Sequence, residues 1–340
     1  MSTLQSSGSA DGADHVAPLL MSSEPGLRRC WHAVAFVSEI GSRPVARRLL
    51  GTDVVLWRDD AGSITAAVDR CPHRWAKLSG GDVTEGRIRC PYHGWEFSHT
   101  GTVVKIPQLS ATAALPPACI GILHTELALD MVWVSLEADR LLPLPVVPEF
   151  EDSSFRRIEV AVIRYQTNAA AVIDNNTDET HVAFVHRTSF GNDQDPQIPV
   201  GLVERTSYGI EIRSEPMPIA ELPSIREQGT RTGVTQMWLP FTQVGRMHYS
   251  DGSTHVLIKG CCPVDDTTTD VHLAVLRNDS EDAAPTQRII DFELAVEAED
   301  KAVLDTLPPE FPLDPRTQTH LQHDRPGIEY RRALIDLLRN

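Results

Sequence analysis

Two short runs of this sequence each carry one thiol and one imidazole: Cys71-Pro72-His73-Arg74-Trp75, and Cys90-Pro91-Tyr92-His93-Gly94-Trp95. Two loops of this kind can share a two-iron, two-sulfide cluster, with both cysteines on one iron and both histidines on the other. Neutral imidazole in place of thiolate removes negative charge from one iron and raises the potential above that of an all-cysteine cluster. Such a centre takes electrons from a reductase one at a time and passes them on. Two Cys and two His are also a tetrahedral zinc set. Zinc fingers, however, pair Cys with Cys and His with His, whereas both pairs here are mixed, so the ligand order favours the cluster.

A second constellation lies downstream, where Asp178-Glu179-Thr180-His181-Val182-Ala183-Phe184-Val185-His186 reads D-x-x-H-x-x-x-x-H. On a helix, residues three apart share a face, so Asp178 can flank His181, whereas residues five apart are turned by about 140°. A helix over this stretch must therefore bend or end between the histidines if both are to bind one ion. A later carboxylate would complete the two-histidine, one-carboxylate set of a mononuclear non-haem Fe(II) site, which keeps positions open for O₂ beside a small-molecule substrate. The stretch beyond Pro285 offers one. Ile289, Phe292, Val296, Asp300, Val303 and Leu307 step by three or four residues along one helical stripe, and only Asp300 among them is charged. A carboxylate at the centre of an apolar face must be satisfied by a cation, and a metal held by two neutral histidines is the natural one. Glu297 and Glu299 fall to the sides of the stripe and are expected to meet solvent.

These residues give the chain a resemblance to the Rieske non-haem iron oxygenases, specifically their catalytic α subunits. The likeness covers both halves of the chain, through the two Cys/His runs and through Asp174-Asn175-Asn176-Thr177-Asp178-Glu179-Thr180-His181, running on to His186-Arg187-Thr188. Ring-dihydroxylating members usually carry Gly where this chain has Trp75. Trp75 and the D-N-x-x-D-x-x-H order at Asp174 to His181 are similar to the O-demethylase and hydroxylase branch, with its vanillate and dicamba demethylases. The resemblance implies an all-β Rieske domain followed by an α+β helix-grip catalytic domain with a curved antiparallel sheet. It implies a Rieske [2Fe–2S] cluster on Cys71, His73, Cys90 and His93, and mononuclear Fe(II) on His181, His186 and Asp300. It also implies a head-to-tail homotrimer, in which Asp178 is the catalytic bridge between His181 and His93 of the partner subunit. The activity it implies is hydroxylation or oxidative demethylation of a small organic substrate with O₂ and two externally supplied electrons. The same iron site can instead run cis-dihydroxylation, oxidative cyclisation or desaturation, according to how the substrate is posed. With no G-x-G-x-x-G run, the chain should depend on a separate NAD(P)H-dependent reductase, directly or through a ferredoxin.

The elements that must position these groups can be read in outline. A chain of 340 residues suits two domains. Residues 1–25 hold too few large apolar groups to offset the entropy of ordering and read as a floppy tail. Residues 26–148 show β-type runs at Trp31 to Val37, Asp53 to Trp57, Ile64 to Val68, Val103 to Ile106 and Met131 to Val134. Turn signals stand at Asp60-Ala61-Gly62 and His99-Thr100-Gly101. A stiff connector, Leu142 to Pro148, leads into residues 149–340. There Arg157 to Tyr165, Met237 to Val244, His255 to Cys261 and Val271 to Arg277 read as strands, and Ile328 to Leu338 as a closing amphipathic helix. Prolines and glycines between Glu215 and Gly233 predict an irregular cover over the site.

The net charge of −16 speaks against nucleic acid as a partner. No apolar stretch is long enough to span a bilayer, which predicts no membrane partner and a cytoplasmic protein. Cys30, Cys119, Cys261 and Cys262 lie outside the motifs. The adjacent pair Cys261-Cys262 would face opposite sides of a strand, so a reduced chain without disulfides is expected. Trp238 and Phe241 are candidates to line a substrate pocket, although aromatics in a sheet more often belong to the core.

Overall fold

Short runs of β-branched and aromatic residues between turn residues make the N-terminal half all β, as their alternation dictates. The computed structural model describes residues 19–218 and 229–339. After helix α1 (Pro25–Arg28) come β1 (His32–Phe36), β2 (Val45–Leu49), β3 (Thr52–Arg58) and β4 (Ile64–Val68). Next are β5 (Asp82–Thr84), β6 (Arg87–Arg89), β7 (Glu96–Phe97) and β8 (Val103–Lys105), then β9 (Ile122–Ala128) and β10 (Met131–Ser135). One sheet runs β1-β10-β9-β4-β3-β2 and a smaller one β5-β6-β7-β8. The five expected strands are all present. Those not foreseen are β5 to β7, each too short to show alternation, together with β2 and β9, whose exposed faces carry Arg48, His124 and Glu126.

The connector carries no regular structure until α2 (Pro148–Glu151). Beyond it lie β11 (Arg156–Tyr165), α3 (Ala169–Thr177), α4 (Val182–Val185), β12 (Leu202–Arg205), β13 (Gly209–Pro218), β14 (Thr230–Trp238), β15 (Thr242–Tyr249), β16 (Thr254–Pro263) and β17 (Thr269–Arg277). The chain closes with α5 (Thr286–Leu304) and α6 (Arg325–Leu338). Seven strands pair antiparallel in the order β11-β17-β16-β15-β14-β13-β12, with α5 packed on β11 and α6 on β12 and β13.

The inner strand β16 is buried on both faces, and its period of two sorts its residues. Leu257, Lys259 and Cys261 face the helices. Val256 and Ile258 pack with Ala33, Phe36, Met131 and Trp133 of the first sheet. Gly260 sits at the closest point of this seam, where a Cβ would fall 2.7 Å from the Ala33 Cβ and 3.2 Å from the Met131 Sδ. The two halves thus share apolar cores.

Four expectations are corrected. The 1–25 tail is ordered from Leu19 onward: Leu19 pairs with Phe311, the Asn168 side chain donates to the Leu19 carbonyl, and Leu19 and Met21 are buried. Two well-placed apolar side chains do what the average composition of that stretch conceals; residues 1–18 lie outside the described residues. The strand drawn from Met237 to Val244 is in fact the end of β14, a turn at Leu239-Pro240-Phe241 and the start of β15, because proline has no N–H to give to a ladder. The cover drawn over Glu215 to Gly233 is regular at both ends, where Met217 pairs with Arg231 and Pro218 with Thr230, while 219–228 lie outside the described residues. Finally, the stripe on α5 is misdrawn. The buried residues are Ile289, Glu293, Glu297, Asp300 and Leu304, whereas Val303 and Leu307 are exposed. The stripe was drawn through apolar residues, and the face that is in fact buried carries acidic side chains with partners on other elements.

Candidate metal centres

The two Cys/His runs lie in the β4–β5 connection and between β6 and β7, at one end of the first domain. Their backbones fold alike. Cys71 N–H donates to Ala76 O and Trp75 N–H to Cys71 O, both at 2.9 Å; Cys90 N–H donates to Trp95 O at 2.8 Å and Gly94 N–H to Cys90 O at 3.0 Å. Each closure requires a left-handed residue at its fifth position, φ 61° at Trp75 and 72° at Gly94. Glycine adopts that conformation freely and tryptophan does so under strain, with its side chain 74% exposed.

Both thiols are buried and the ring centroids of His73 and His93 lie 4.5 Å apart, with Trp95 stacked on His73 and Tyr92 tilted against His93. The buried His73 Nδ1 has no hydrogen-bond partner. Burial and the neighbouring Cys90 thiol push the Cys71 thiol up to about 11, so a metal must displace its proton. Among the described residues, the triples of donor atoms converging within 4.8 Å are His181–His186–Asp300 and the surface group Asp59–Asp60–His99. The four loop residues are spread more widely than a single zinc ion draws its ligands, which suits a two-iron cluster.

The second centre is assembled at a helix break. Helix α3 ends at Thr177, Asp178 caps it in extended conformation, and α4 is the short turn between His181 and His186. The break therefore precedes both histidines, and Asp178 does not share a helix with His181. From α5, Asp300 Oδ1 approaches His181 Nε2 at 3.4 Å and His186 Nε2 at 3.2 Å, while the two Nε2 atoms are 3.3 Å apart. Yet the buried Asp300 Oδ1 has no aligned donor. Three acceptor atoms pointing at a common centre without hydrogen-bond geometry fit a cation held by two histidines and one carboxylate. Burial opposes ionisation of Asp300, but the facing rings of His181 and His186 and the charge of Lys259 hold its carboxyl far below the usual range.

Glu299, assigned to solvent from the sequence, in fact supports this site. Its Oε2 accepts from His186 Nδ1 at 2.9 Å and from Ser189 Oγ at 2.7 Å, and Thr188 bonds its other oxygen. A carboxylate on the outer nitrogen of a ligating histidine fixes the ring and its tautomer. Glu297, also assigned to solvent, is buried against Lys259 and Tyr165. The signal for Glu297 was a lysine inside the apolar run of β16, which demands a buried acid. Asp178 Oδ1 accepts from Thr180 N–H at 2.7 Å, leaving Oδ2 3.9 Å from His181 Nδ1. Asp178 lies on the rim of a cavity of about 270 Å³ between α3 and α6. Trp238 and Phe241 pack in apolar cores, Trp238 stacked on Tyr208. All six cysteines are free, and no helix among the described residues is long and apolar enough to cross a membrane.

A two-loop Cys/His centre and a two-histidine, one-carboxylate centre on a helix-backed antiparallel sheet define an oxygenase with two iron sites. Residues 30–117 match the Rieske [2Fe-2S] domain, and residues 165–340 match the vanillate O-demethylase oxygenase C-terminal domain. The chain belongs to the Rieske oxygenases with a vanillate O-demethylase-type catalytic domain, and it carries the Rieske cluster and mononuclear iron of that family. It is 27% identical to methylxanthine N1-demethylase NdmA of Pseudomonas putida, over 92% of this chain and 89% of that protein. The structure of that enzyme with caffeine matches with a TM-score of 0.84 at 26% identity, covering 94% of this chain and 93% of the other. Toluene-4-sulfonate monooxygenase system iron-sulfur subunit TsaM1 of Comamonas testosteroni is 35% identical over 54% of this chain and 53% of its own.

Proposed function

We propose that this protein hydroxylates or oxidatively demethylates a small organic substrate, using O₂ and two electrons supplied from outside. The observation that carries this reading is the convergence of His181 Nε2, His186 Nε2 and Asp300 Oδ1 on one point. In this reading Cys71, His73, Cys90 and His93 hold the cluster and His181, His186 and Asp300 the iron, with residues 26–148 and 149–340 as their domains. Iron bound by three protein groups keeps positions open and supplies O₂ activation. Glu299 keeps His186 oriented with its Nε2 toward the metal, and Asp300 stays ionised. The electrons come from an NAD(P)H-dependent reductase, directly or through a ferredoxin. Asp178 joins His181 to His93 of the partner subunit in a head-to-tail homotrimer, because its Oδ2 is the oxygen not engaged by Thr180.

For a methyl group on oxygen or nitrogen the balance is substrate, O₂, two electrons and two protons in; demethylated product, formaldehyde and water out. Demethylation is favoured over cis-dihydroxylation by the catalytic-domain family and by the demethylases among the relatives. The test feeds aryl methyl ethers, N-methylated purines and unmethylated ring compounds to the enzyme with a surrogate reductase under ¹⁸O₂. Formaldehyde formed in step with a demethylated product supports the reading, and a labelled cis-diol would replace it. In Asp300→Ala, iron should fall from three to about two per chain with the cluster spectrum intact.

A further inference from the structure

Helix α5 turns three carboxylates inward, Glu293, Glu297 and Asp300, each at most 5% exposed. Their spacing puts them on one face, and three like charges buried together must each be matched. Asp300 faces the two histidines. Glu293 faces His255 Nε2 at 3.4 Å, and burial, then Glu297, push its carboxyl up to about 7 against Lys259 and Arg277. Glu297 is met by a cation. Its Oε1 lies 2.5 Å from Lys259 Nζ, its Oε2 accepts from the Tyr165 hydroxyl at 2.5 Å, and Lys259 also donates to Asn176 Oδ1 at 3.1 Å.

The four groups come from four elements, β16, α5, β11 and α3, and Lys259 interrupts a strand face otherwise lined by Leu257 and Cys261. Burial opposes charge on Lys259, yet Glu297 and then Asp300 hold its ammonium well above the usual lysine range. A buried ion pair adds little stability over apolar residues of the same volume, so packing alone gives no reason for this one. Glu297 precedes Asp300 by three residues on the same buried face of α5, which sets its ion pair with Lys259 one helical turn behind that carboxylate.

We propose that Lys259 and Glu297 form a fixed dipole behind Asp300 that sets the charge felt by the mononuclear iron, and with it the iron's midpoint potential and Fe(II) affinity. Tyr165 and Asn176 hold the dipole in register. The proposal rests on His181, His186 and Asp300 being the iron ligands. Removing the cation alone leaves extra negative charge, which favours Fe(III) and lowers the potential. Removing the anion alone does the reverse, and removing both nearly cancels. A pair that only braced the fold would shift both single variants the same way.

The experiment compares Lys259→Met, Glu297→Gln and the double variant, reading the mononuclear Fe(III)/Fe(II) potential by redox titration and Fe(II) affinity by anaerobic titration. The cluster spectrum and thermal midpoint serve as controls for folding. Expected are a lower potential for Lys259→Met, a higher potential with ~10-fold weaker Fe(II) binding for Glu297→Gln, and near wild-type values for the double variant. If Lys259→Met does not fold, the Glu297→Gln shift and its reversal in the double variant decide. Shifts of one sign, or none, with wild-type Fe(II) binding intact would overturn the dipole alone. A wild-type chain that binds no Fe(II), or binds it equally well after His181→Ala, would overturn the ligand assignment and the dipole with it.

Discussion

The two metal centres are built by opposite means. At the first, the backbone is the template: each loop closes on itself with the same two hydrogen bonds, and its Cys and His lie within four residues of each other. At the second, the histidines flank the short helix α4, just after a helix break, and the carboxylate arrives from α5, so only the finished sheet brings them together. What backbone does for the first, side chains do for the second, through Glu299 behind His186 and the Lys259–Glu297 pair behind Asp300. A site of the first kind is sensitive at its ligands and at its left-handed positions. One of the second kind is sensitive to buried charges that never touch the metal.

The largest effect tests the self-contained loops. Cys71→Ser should remove the brown colour and the rhombic electron paramagnetic resonance signal of the reduced cluster, while far-ultraviolet dichroism keeps the fold; a variant retaining both signals would break the assignment. Next, Asp178→Asn should keep both metals and lose nearly all turnover, because a neutral amide cannot make the charge-assisted contact between two histidines. Normal turnover there would mean the two centres do not communicate through Asp178.

The third prediction concerns the charged floor under the second centre. Glu293 is raised in the native state from 4.5 to about 7, facing Glu297, Lys259, Arg277 and His255. Below pH 4.5 both states hold the proton. As the pH climbs toward 7 the unfolded chain ionises first, so native stability falls across that window by up to about 3 kcal/mol. Glu293→Gln should flatten this fall in denaturant unfolding measured at pH 5 and pH 8; an unchanged slope would place the titration elsewhere. The smallest effect returns to the loops. Trp75→Gly should stabilise the chain by up to about 1 kcal/mol, left-handed strain relieved less the added chain entropy, and leave the cluster spectrum unchanged. Gly94→Ala should do the opposite, since its Cβ would also come within 3.1 Å of Pro107.

The same contrast explains what could be read in the sequence. Cys71, His73, Cys90 and His93 were legible because the loop chemistry is local. Asp300, which the structure brings to the two histidines, was reached along a stripe whose apolar members Val303 and Leu307 prove exposed, a helix face drawn partly wrong. Glu297 and Glu299 were misplaced because the stripe that fixed their angles was drawn through apolar residues that prove exposed, and the partners that meet them, Lys259, Tyr165, His186 and Ser189, come from other elements. Only the assembled fold brings those groups within reach of α5. Strands with a clear apolar run, such as β3, β10, β16 and β17, were visible; β5 to β7 are too short to alternate, β2 and β9 carry charged or polar exposed faces, and the ordered start at Leu19 and Met21 depends on contacts with Phe311 and Asn168.

Gly260 bears on how such chains can be recombined. A methyl group there would collide with Ala33 and press on Met131 of the other sheet, so neither surface of the seam is generic. Any chimera that grafts a foreign cluster-bearing module onto this catalytic half inherits a lock cut for alanine and methionine at those two places. Donors with bulkier residues there should yield insoluble hybrids, and trimming those residues should rescue them, which makes this one contact the first criterion for choosing parents.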